Sequence, residues 1–348
     1  MGKTARWMGA TMGALAFTLM LGVGCSSSDS GSSGSGGGSS ANTCWPSDPV
    51  CKMPTGVGFE CLALYDNGVG DKGTYRMSQL QVLKPDVLAG KFLQETVVSK
   101  AITLKWPSCL QEGYGRFNWL FEVDWAAGKV RTGGGHIPAD PKDGYCFIDE
   151  TIAGFHAQPI EVDITVGVDA KGRRTFDTVQ SIPTLNVPIW LDDMEVTSLM
   201  MPLHDVSLTE GVVEKDNDCI GTWDGDGLSY DNNCKPDPTI GQRMQWKNGS
   251  VLKGYITAEE SDQVWIPDLQ QTLCVALSGD AAEYGEDTTK DGHTGKFCKR
   301  DASNKILAAV KADWCQASNS ACTPPEADSF RLEGQFAASG AKINDTCP

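Results

Sequence analysis

Two segments of the chain carry a large apolar side chain at every second position, with mostly polar side chains between them. Phe117–Trp125 carries an aromatic or branched apolar residue at every second position, and Ile160–Val168 repeats the pattern with Ile and Val. A period of two places one face of a strand on a core and the other in water, which is typical of antiparallel sheets. Asp169–Gly172 has turn chemistry, so we expect Thr175–Ile182 to return as the second strand of a hairpin.

Weaker patterns predict the other elements. In the segment Leu199–Leu208 the alternation of apolar and polar residues changes phase between Leu203 and Val206, which predicts a bulge in this strand. Gly133–Gly135 is interpreted as a loop. The further predicted strands are Tyr75–Leu83, Ala101–Leu104, Val187–Leu191, Leu199–Leu208, Leu273–Leu277 and Phe330–Phe336.

Only two helices are predicted. Thr257 and Glu260 have the spacing of a capping box, which would open a short helix reaching about Val264. Ser303–Trp314 places apolar residues on one stripe of a three-turn helix.

These elements predict a mainly β fold: a disulfide-stapled antiparallel β-sandwich with long loops and a smaller α+β C-terminal part. We expect a β-rich domain over 44–213 and an acidic loop or linker over 214–242. Residues 243–348 would then be a smaller α+β domain or a continuation of the sandwich.

The first 43 residues predict export. Two basic residues precede the apolar run Met8–Leu21, which is long enough for a signal peptide and too short to span a membrane. The segment Leu21–Cys25 resembles a bacterial lipoprotein signal, although Gly22 stands where that family usually has Leu. The resemblance implies a signal peptide over 1–24 and lipidation of Cys25.

The residues after Cys25 indicate how the body would be held. Residues 26–43 are almost all Ser and Gly, so 25–43 is predicted to be a flexible tether. Ser26 stands where Asp would retain a Gram-negative lipoprotein at the inner membrane, which implies the outer membrane. Both the periplasmic and the surface face remain open.

Twelve cysteines follow Cys25, and an even number downstream of an export signal predicts up to six disulfides in an oxidising compartment. Connectivity does not follow from sequence. The pairs proposed from their spacing are Cys219–Cys234, Cys315–Cys322 and Cys109–Cys146.

The acidic loop suggests one metal site. Asp224, Asp226 and Asp231 lie in a run with Gly at its bends, and Ca²⁺ prefers several oxygens from one such loop. The run, which follows the acidic segment Asp216–Cys219, resembles a single thrombospondin-type calcium repeat. The alternative is a solvated acidic loop whose Asp and Asn residues favour turns. No other cofactor is indicated.

Composition and motif content limit the classes of partner and of active site that we expect. A formal net charge of −16 argues against nucleic acid and anionic membrane surfaces as partners. The four histidines lack metal-ligand spacing, and no nucleophile motif is present. The aromatic residues of Phe117–Trp125 could form a core or a sugar-stacking platform.

We therefore expect an envelope-anchored lipoprotein that acts as a non-enzymatic binding or structural module on an unidentified envelope or extracellular ligand. The alternative is an exported hydrolase acting on polysaccharide or peptide. A pocket where a histidine meets a carboxylate would favour the enzyme, whereas an aromatic-lined groove would favour binding.

Overall fold

The computed structural model describes residues 44–53, 55–90, 93–236, 246–247, 249–279, 282–283, 290, 292–307 and 311–347. The described residues belong to one compact unit. The predicted signal peptide, the tether and Cys25 lie outside them.

Most regular structure is β. The strands are β1 (Lys72–Lys84), β2 (Lys105–Trp106), β3 (Gln111–Glu112), β4 (Asn118–Asp124), β5 (Lys129–Gly135), β6 (Glu150–Ile152), β7 (Phe155–Ala157), β8 (Ile160–Val168), β9 (Arg174–Thr178), β10 (Ile182–Trp190), β11 (Ser198–Thr209), β12 (Gly211–Val213), β13 (Cys219–Ile220), β14 (Thr222–Trp223), β15 (Leu228–Ser229), β16 (Lys235–Pro236), β17 (Trp246–Lys247), β18 (Ser250–Thr257), β19 (Trp265–Ile266), β20 (Gln271–Thr272), β21 (Ala282–Glu283), β22 (Lys296–Phe297), β23 (Trp314–Cys315), β24 (Ser320–Ala321) and β25 (Ser329–Gly340).

Helices are short. The α-helices are α1 (Asp86–Ala89), α2 (Ser99–Ile102), α3 (Ala258–Ser261) and α4 (Leu273–Ser278), with a π-helical turn at Gln94–Val98. The 3₁₀ turns are Pro49–Cys51, Phe59–Cys61, Pro107–Cys109, Gly225–Gly227, Tyr230–Asn232, Pro267–Leu269 and Gln316–Ser318.

The main sheet closes on itself. Eight strands follow one another in the order β1–β4–β5–β8–β9–β12–β13–β25, and β25 pairs back onto β1. β25 also pairs with β18, from which β11 and β10 extend the sheet. The predicted mainly β class is confirmed. The predicted sandwich is wrong. β25 pairs with β1 along one of its edges and with β13 along the other, which closes the sheet into a barrel.

Several predicted strands and the capping box are confirmed. β8 and β9 form the expected hairpin, and β11 carries a register shift between His204 and Ser207 where the bulge was predicted. Thr257 and Glu260 form the full capping box of α3. The aromatic residues of Phe117–Trp125 are buried, so they belong to the core and form no platform.

Two predicted strands are helical. Ala101 and Ile102 end α2, so the expected strand Ala101–Leu104 is wrong. Leu273–Leu277 lies in α4, whose cap residue Thr272 accepts the Val275 N–H and whose end is Gly279 in the left-handed conformation. Local capping therefore overrides a short apolar run that fits either element.

The helix predicted over Ser303–Trp314 is also wrong in the part that the structure describes. Asp301 Oδ1 accepts the backbone N–H groups of Ser303 and Lys305, which closes a turn that competes with a helix. Trp314 then begins β23, and 308–310 lie outside the described residues.

Gly133–Gly135, interpreted as a loop, is the end of β5. A Cβ on Gly134 would lie 2.6 Å from Cγ of Pro188, and one on Gly135 would lie 2.7 Å from Cδ1 of Leu120. The absence of a side chain at these glycines therefore allows neighbouring segments of the same chain to pack closely against the strand.

All twelve described cysteines form six disulfides, as predicted. The proposed pair Cys315–Cys322 is confirmed. The pairs Cys219–Cys234 and Cys109–Cys146 are wrong, because these cysteines bond across the fold to distant segments. The bonds are Cys44–Cys234, Cys51–Cys109, Cys61–Cys219, Cys146–Cys347, Cys274–Cys298 and Cys315–Cys322.

Candidate binding cleft

A cleft of about 360 Å³ lies between two crosslinked segments beside the barrel. One wall comes from residues 104–115 and the other from residues 137–145. This volume is within the range of sites that bind small molecules.

The first wall is a small hairpin. β2 pairs with β3 around the 3₁₀ turn Pro107–Cys109, and Cys51–Cys109 ties this turn to the N-terminal part of the described chain. Asp48 orients the wall, because its Oδ2 accepts from Trp106 Nε1 at 3.2 Å and from Ser108 Oγ at 2.9 Å. A bond from the Val50 amide lowers the pKa of Asp48 most, and the bonds from Ser108 and Trp106 lower it further.

The second wall is held at both ends. At its start, Glu195 accepts from the Ile137 amide and lies 2.8 Å from His136 Nδ1. This hydrogen bond is the main reason that the pKa of His136 is raised. At its end, the Tyr145 amide donates to the Lys342 carbonyl at 2.9 Å, and the next residue forms the disulfide Cys146–Cys347.

Tyr145 is a lining residue whose hydroxyl is buried. The residue is 1% exposed, and the hydroxyl has no hydrogen-bond partner among the described residues. Burial raises the pKa of this hydroxyl, so it is a neutral donor at physiological pH. A buried polar group without a partner costs stability, so this hydroxyl is a local cost to the fold.

Arg76 lies behind the ring of Tyr145, with Cζ 5.7 Å from the ring centroid. Its Nε donates to Asn118 Oδ1 at 2.6 Å, and its remaining acceptors are the carbonyls of Met77, Ile102 and Phe117. The Asn118 amide donates in turn to the carbonyl of Gly115 in the cleft wall at 3.1 Å.

The mouth of the cleft combines aromatic and basic groups. Tyr114 is 54% exposed and Trp106 is half-buried. Lys142 crosses from the second wall, with Nζ 5.0 Å from the Trp106 ring centroid, and Lys105 is exposed in the first wall. The site therefore offers flat apolar faces beside hydrogen-bond donors.

The aspartates proposed for calcium are placed differently. Asp224 is 9% exposed and pairs with Lys247 Nζ at 3.3 Å, while Asp226 and Asp231 are exposed in two separate 3₁₀ turns. The described part of the chain does not bring their oxygens together within 4.8 Å.

The preceding segment, Asp216–Cys219, connects distant parts of the fold. Asp218 is fully buried just before β13, the short strand that pairs with β25, and its Oδ1 accepts the Asn67 N–H at 2.6 Å. Oδ2 has no hydrogen-bond partner among the described residues. Burial raises the pKa of Asp218 to about 7, with smaller contributions from Asp216 and Asp66.

Three groups of potential metal ligands occur among the described residues, and each consists of one further residue and both cysteines of a disulfide. The sulfurs of a disulfide carry no thiolate, so these groups offer no metal-binding set. The further residues are His136, Asp48 and Asp262.

A second arrangement places a histidine between a hydroxyl and a carboxylate. His204 Nε2 lies 2.8 Å from Glu260 Oε2, and its Nδ1 lies 3.3 Å from Thr184 Oγ1. Glu260 also accepts from Thr257 Oγ1 at 2.6 Å as part of the α3 cap. This site joins β10, β11 and α3.

Sequence reasoning missed the cleft. The tryptophan, lysines and tyrosines that line it are separated by up to 40 residues and share no motif. A local signal existed only in the Pro-rich run 138–141, which indicates a rigid loop.

Comparison with protein-family models, curated proteins and solved structures finds no match for this chain. No helix within the described ranges is both long and apolar enough to cross a bilayer.

Proposed function

We propose that the protein is a binding module of the cell envelope, held by a lipid on Cys25, that takes a small saccharide in its cleft. Attachment to the outer membrane is supported by the lipoprotein-like signal, by Ser26 and by the Ser/Gly tether. Six disulfides suit an oxidising envelope compartment.

The aromatic rings of Trp106 and Tyr114 beside the ammonium groups of Lys105 and Lys142 are the observation that carries the binding proposal. A saccharide would supply acceptor oxygens to these donors, and its C–H faces would pack on the exposed ring surfaces. Both walls are crosslinked, so little ordering is needed when the ligand binds.

Attachment is tested with Cys25→Ala in the producing cell. The wild-type chain should fractionate with membranes, and the variant should be released into the soluble fraction. A variant that remains membrane-bound at the wild-type level would show that the lipid-anchor reading is wrong.

Binding is tested with the full chain in detergent, by calorimetric titration with a panel of neutral and acidic mono- and disaccharides. Tyr114→Ala should weaken binding about tenfold, because an exposed aromatic face of the cleft is lost. Tyr145→Phe is the matched control and should leave binding unchanged, since its hydroxyl is buried away from the cleft. Absence of binding by every saccharide would refute the proposal.

A second candidate function, an exported hydrolase, is favoured by the Thr184–His204–Glu260 arrangement. In it, His204 would accept the proton of Thr184 as this hydroxyl attacks the carbonyl carbon of an ester, and would return that proton to the departing alcohol. Glu260 would stabilise the imidazolium, and water would then release the acid from Thr184. The test is hydrolysis of p-nitrophenyl acetate by the wild-type chain and by Thr184→Val. Equal rates for both would exclude this role for Thr184.

A further inference from the structure

A small cavity lies beside the pairing of β1 with β25 and is distinct from the binding cleft. Its volume is about 10 Å³. Tyr75 and Met77 belong to the barrel core, so the alternation of β1 turns Arg76, which lies between them, away from that core. The cavity therefore lies on the outer face of the barrel, where the first cleft wall contributes to its lining. The polar residues of this lining are Arg76 and Ser78 of β1, Gln111 of β3 and Ser339 of β25.

Gln111 brings a buried amide without a partner to this cavity. The residue is 4% exposed, and its side chain forms no hydrogen bond within the described part of the chain. The amide carries two N–H hydrogens and one carbonyl oxygen. Leaving such a group buried and unbonded costs stability, so a small polar molecule that bonds to it is favoured.

The other polar residues of the lining keep bonding capacity of both kinds. Arg76 carries five N–H hydrogens, and its four bonds to protein oxygens leave one of them over. The hydroxyls of Ser78 and Ser339 bond to each other, and Ser339 also donates to the Cys61 carbonyl. Their hydrogens are therefore engaged, while lone pairs on both oxygens remain. The lining combines donors with acceptors and contains no carboxylate.

From this arrangement we infer that the cavity binds one water molecule, which bridges the Gln111 amide of the first cleft wall to β1 and β25 of the barrel. About 10–15 Å³ is the least volume that holds a water, and a buried water typically makes about three hydrogen bonds to polar groups that lack other partners. Water both donates and accepts, so it suits this lining. An anion would instead meet the lone pairs of the serine oxygens. The inference is independent of the proposed saccharide binding.

The experiment measures magnetisation transfer from water to the side-chain amides of the full chain in detergent, labelled with nitrogen-15 at glutamine. At Gln111 the cross-relaxation rates in the laboratory and rotating frames should have opposite signs, which is the signature of a water that stays far longer than surface hydration. Gln158 is exposed between β7 and β8 and should show weak rates of equal sign. Gln111→Leu and the matched control Gln158→Leu assign the two signals.

Oxygen-17 relaxation dispersion then counts the long-lived waters. Gln111→Leu should reduce this count by one, because the variant places an apolar group against the cavity. Gln158→Leu should leave the count unchanged.

Two results would overturn the inference. Weak rates of equal sign at Gln111 in the wild-type chain would show that no long-lived water contacts its amide, and this measurement does not depend on the folding of any variant. A Gln111 amide signal that shifts as chloride replaces gluconate at constant ionic strength would identify the bound species as an anion. The inference requires the signal to be the same in both salts.

Discussion

Replacing Asp218 by Asn should change how the stability of the protein depends on pH. The folded state raises the pKa of this carboxyl from 3.8 to about 7, chiefly through burial. Between pH 3.8 and pH 7 this carboxyl is therefore mostly protonated in the folded protein and mostly ionised in the unfolded chain. Stability from this group is fully present below pH 3.8 and is lost as the pH rises through 7.

The magnitude follows from the two pKa values. Between pH 5 and pH 7 the folded state loses about 1.4 kcal/mol per pH unit relative to the unfolded state, and the loss levels off above the folded pKa. From pH 5 to pH 8 this amounts to about 2.5 kcal/mol. Asn keeps an oxygen for the Asn67 N–H and carries no charge, so Asp218→Asn should not show this loss.

The assay is urea unfolding of the disulfide-intact protein at pH 5 and at pH 8. The free energy of unfolding of the variant minus that of the wild type should grow by about 2.5 kcal/mol from pH 5 to pH 8, because only the wild type loses stability over this range. Asp231→Asn removes an exposed carboxylate and should leave the wild-type pH dependence unchanged. Parallel pH profiles for wild type and Asp218→Asn would refute the reasoning.

Three further perturbations have definite expected outcomes. Replacing Cys51 and Cys109 by Ser should cost about 4 kcal/mol of stability, because their bond closes a loop of 58 residues, and should weaken saccharide binding in titrations; unchanged affinity would show that the first wall holds without it. Thr257→Ala should lower the free energy of unfolding by about 1 kcal/mol, whereas Thr257→Ser should restore it. His136→Gln should destabilise the protein below pH 6.5 more than at pH 8.5, because the raised pKa means that protonation strengthens the bond to Glu195; an equal loss at both pH values would contradict this.

Local signals predicted local structure well. The alternation in Ile160–Val168 and the turn after it produce a hairpin whose two strands are neighbours in sequence. The Thr257 capping box is complete within four residues. Cys315 and Cys322 pair across seven residues, which is a distance that spacing alone can suggest.

What the sequence could not predict depends on segments far apart. Cys219 bonds to Cys61, 158 residues away, because β13 lies beside the end of β25. The same holds for the cleft, where residues 137–145 and 104–115 share one lining, and where Tyr145 is held by backbone bonds to Lys342 and Asn344 beside the disulfide Cys146–Cys347. Arg76 lies in β1, and nothing in the neighbouring sequence indicates that its guanidinium is buried among carbonyl and amide oxygens and not beside a carboxylate.

The pairing of β25 has a consequence for the order in which the sheet can form. This strand pairs with β1, β13, β18 and β23. Its pairing with β1 brings Tyr75 opposite Gly340, which are far apart in sequence. Closure of the barrel therefore depends on contacts of large sequence separation, and such contacts slow folding. We expect hairpins of neighbouring strands, such as β8 and β9, to form before β25 closes the ring.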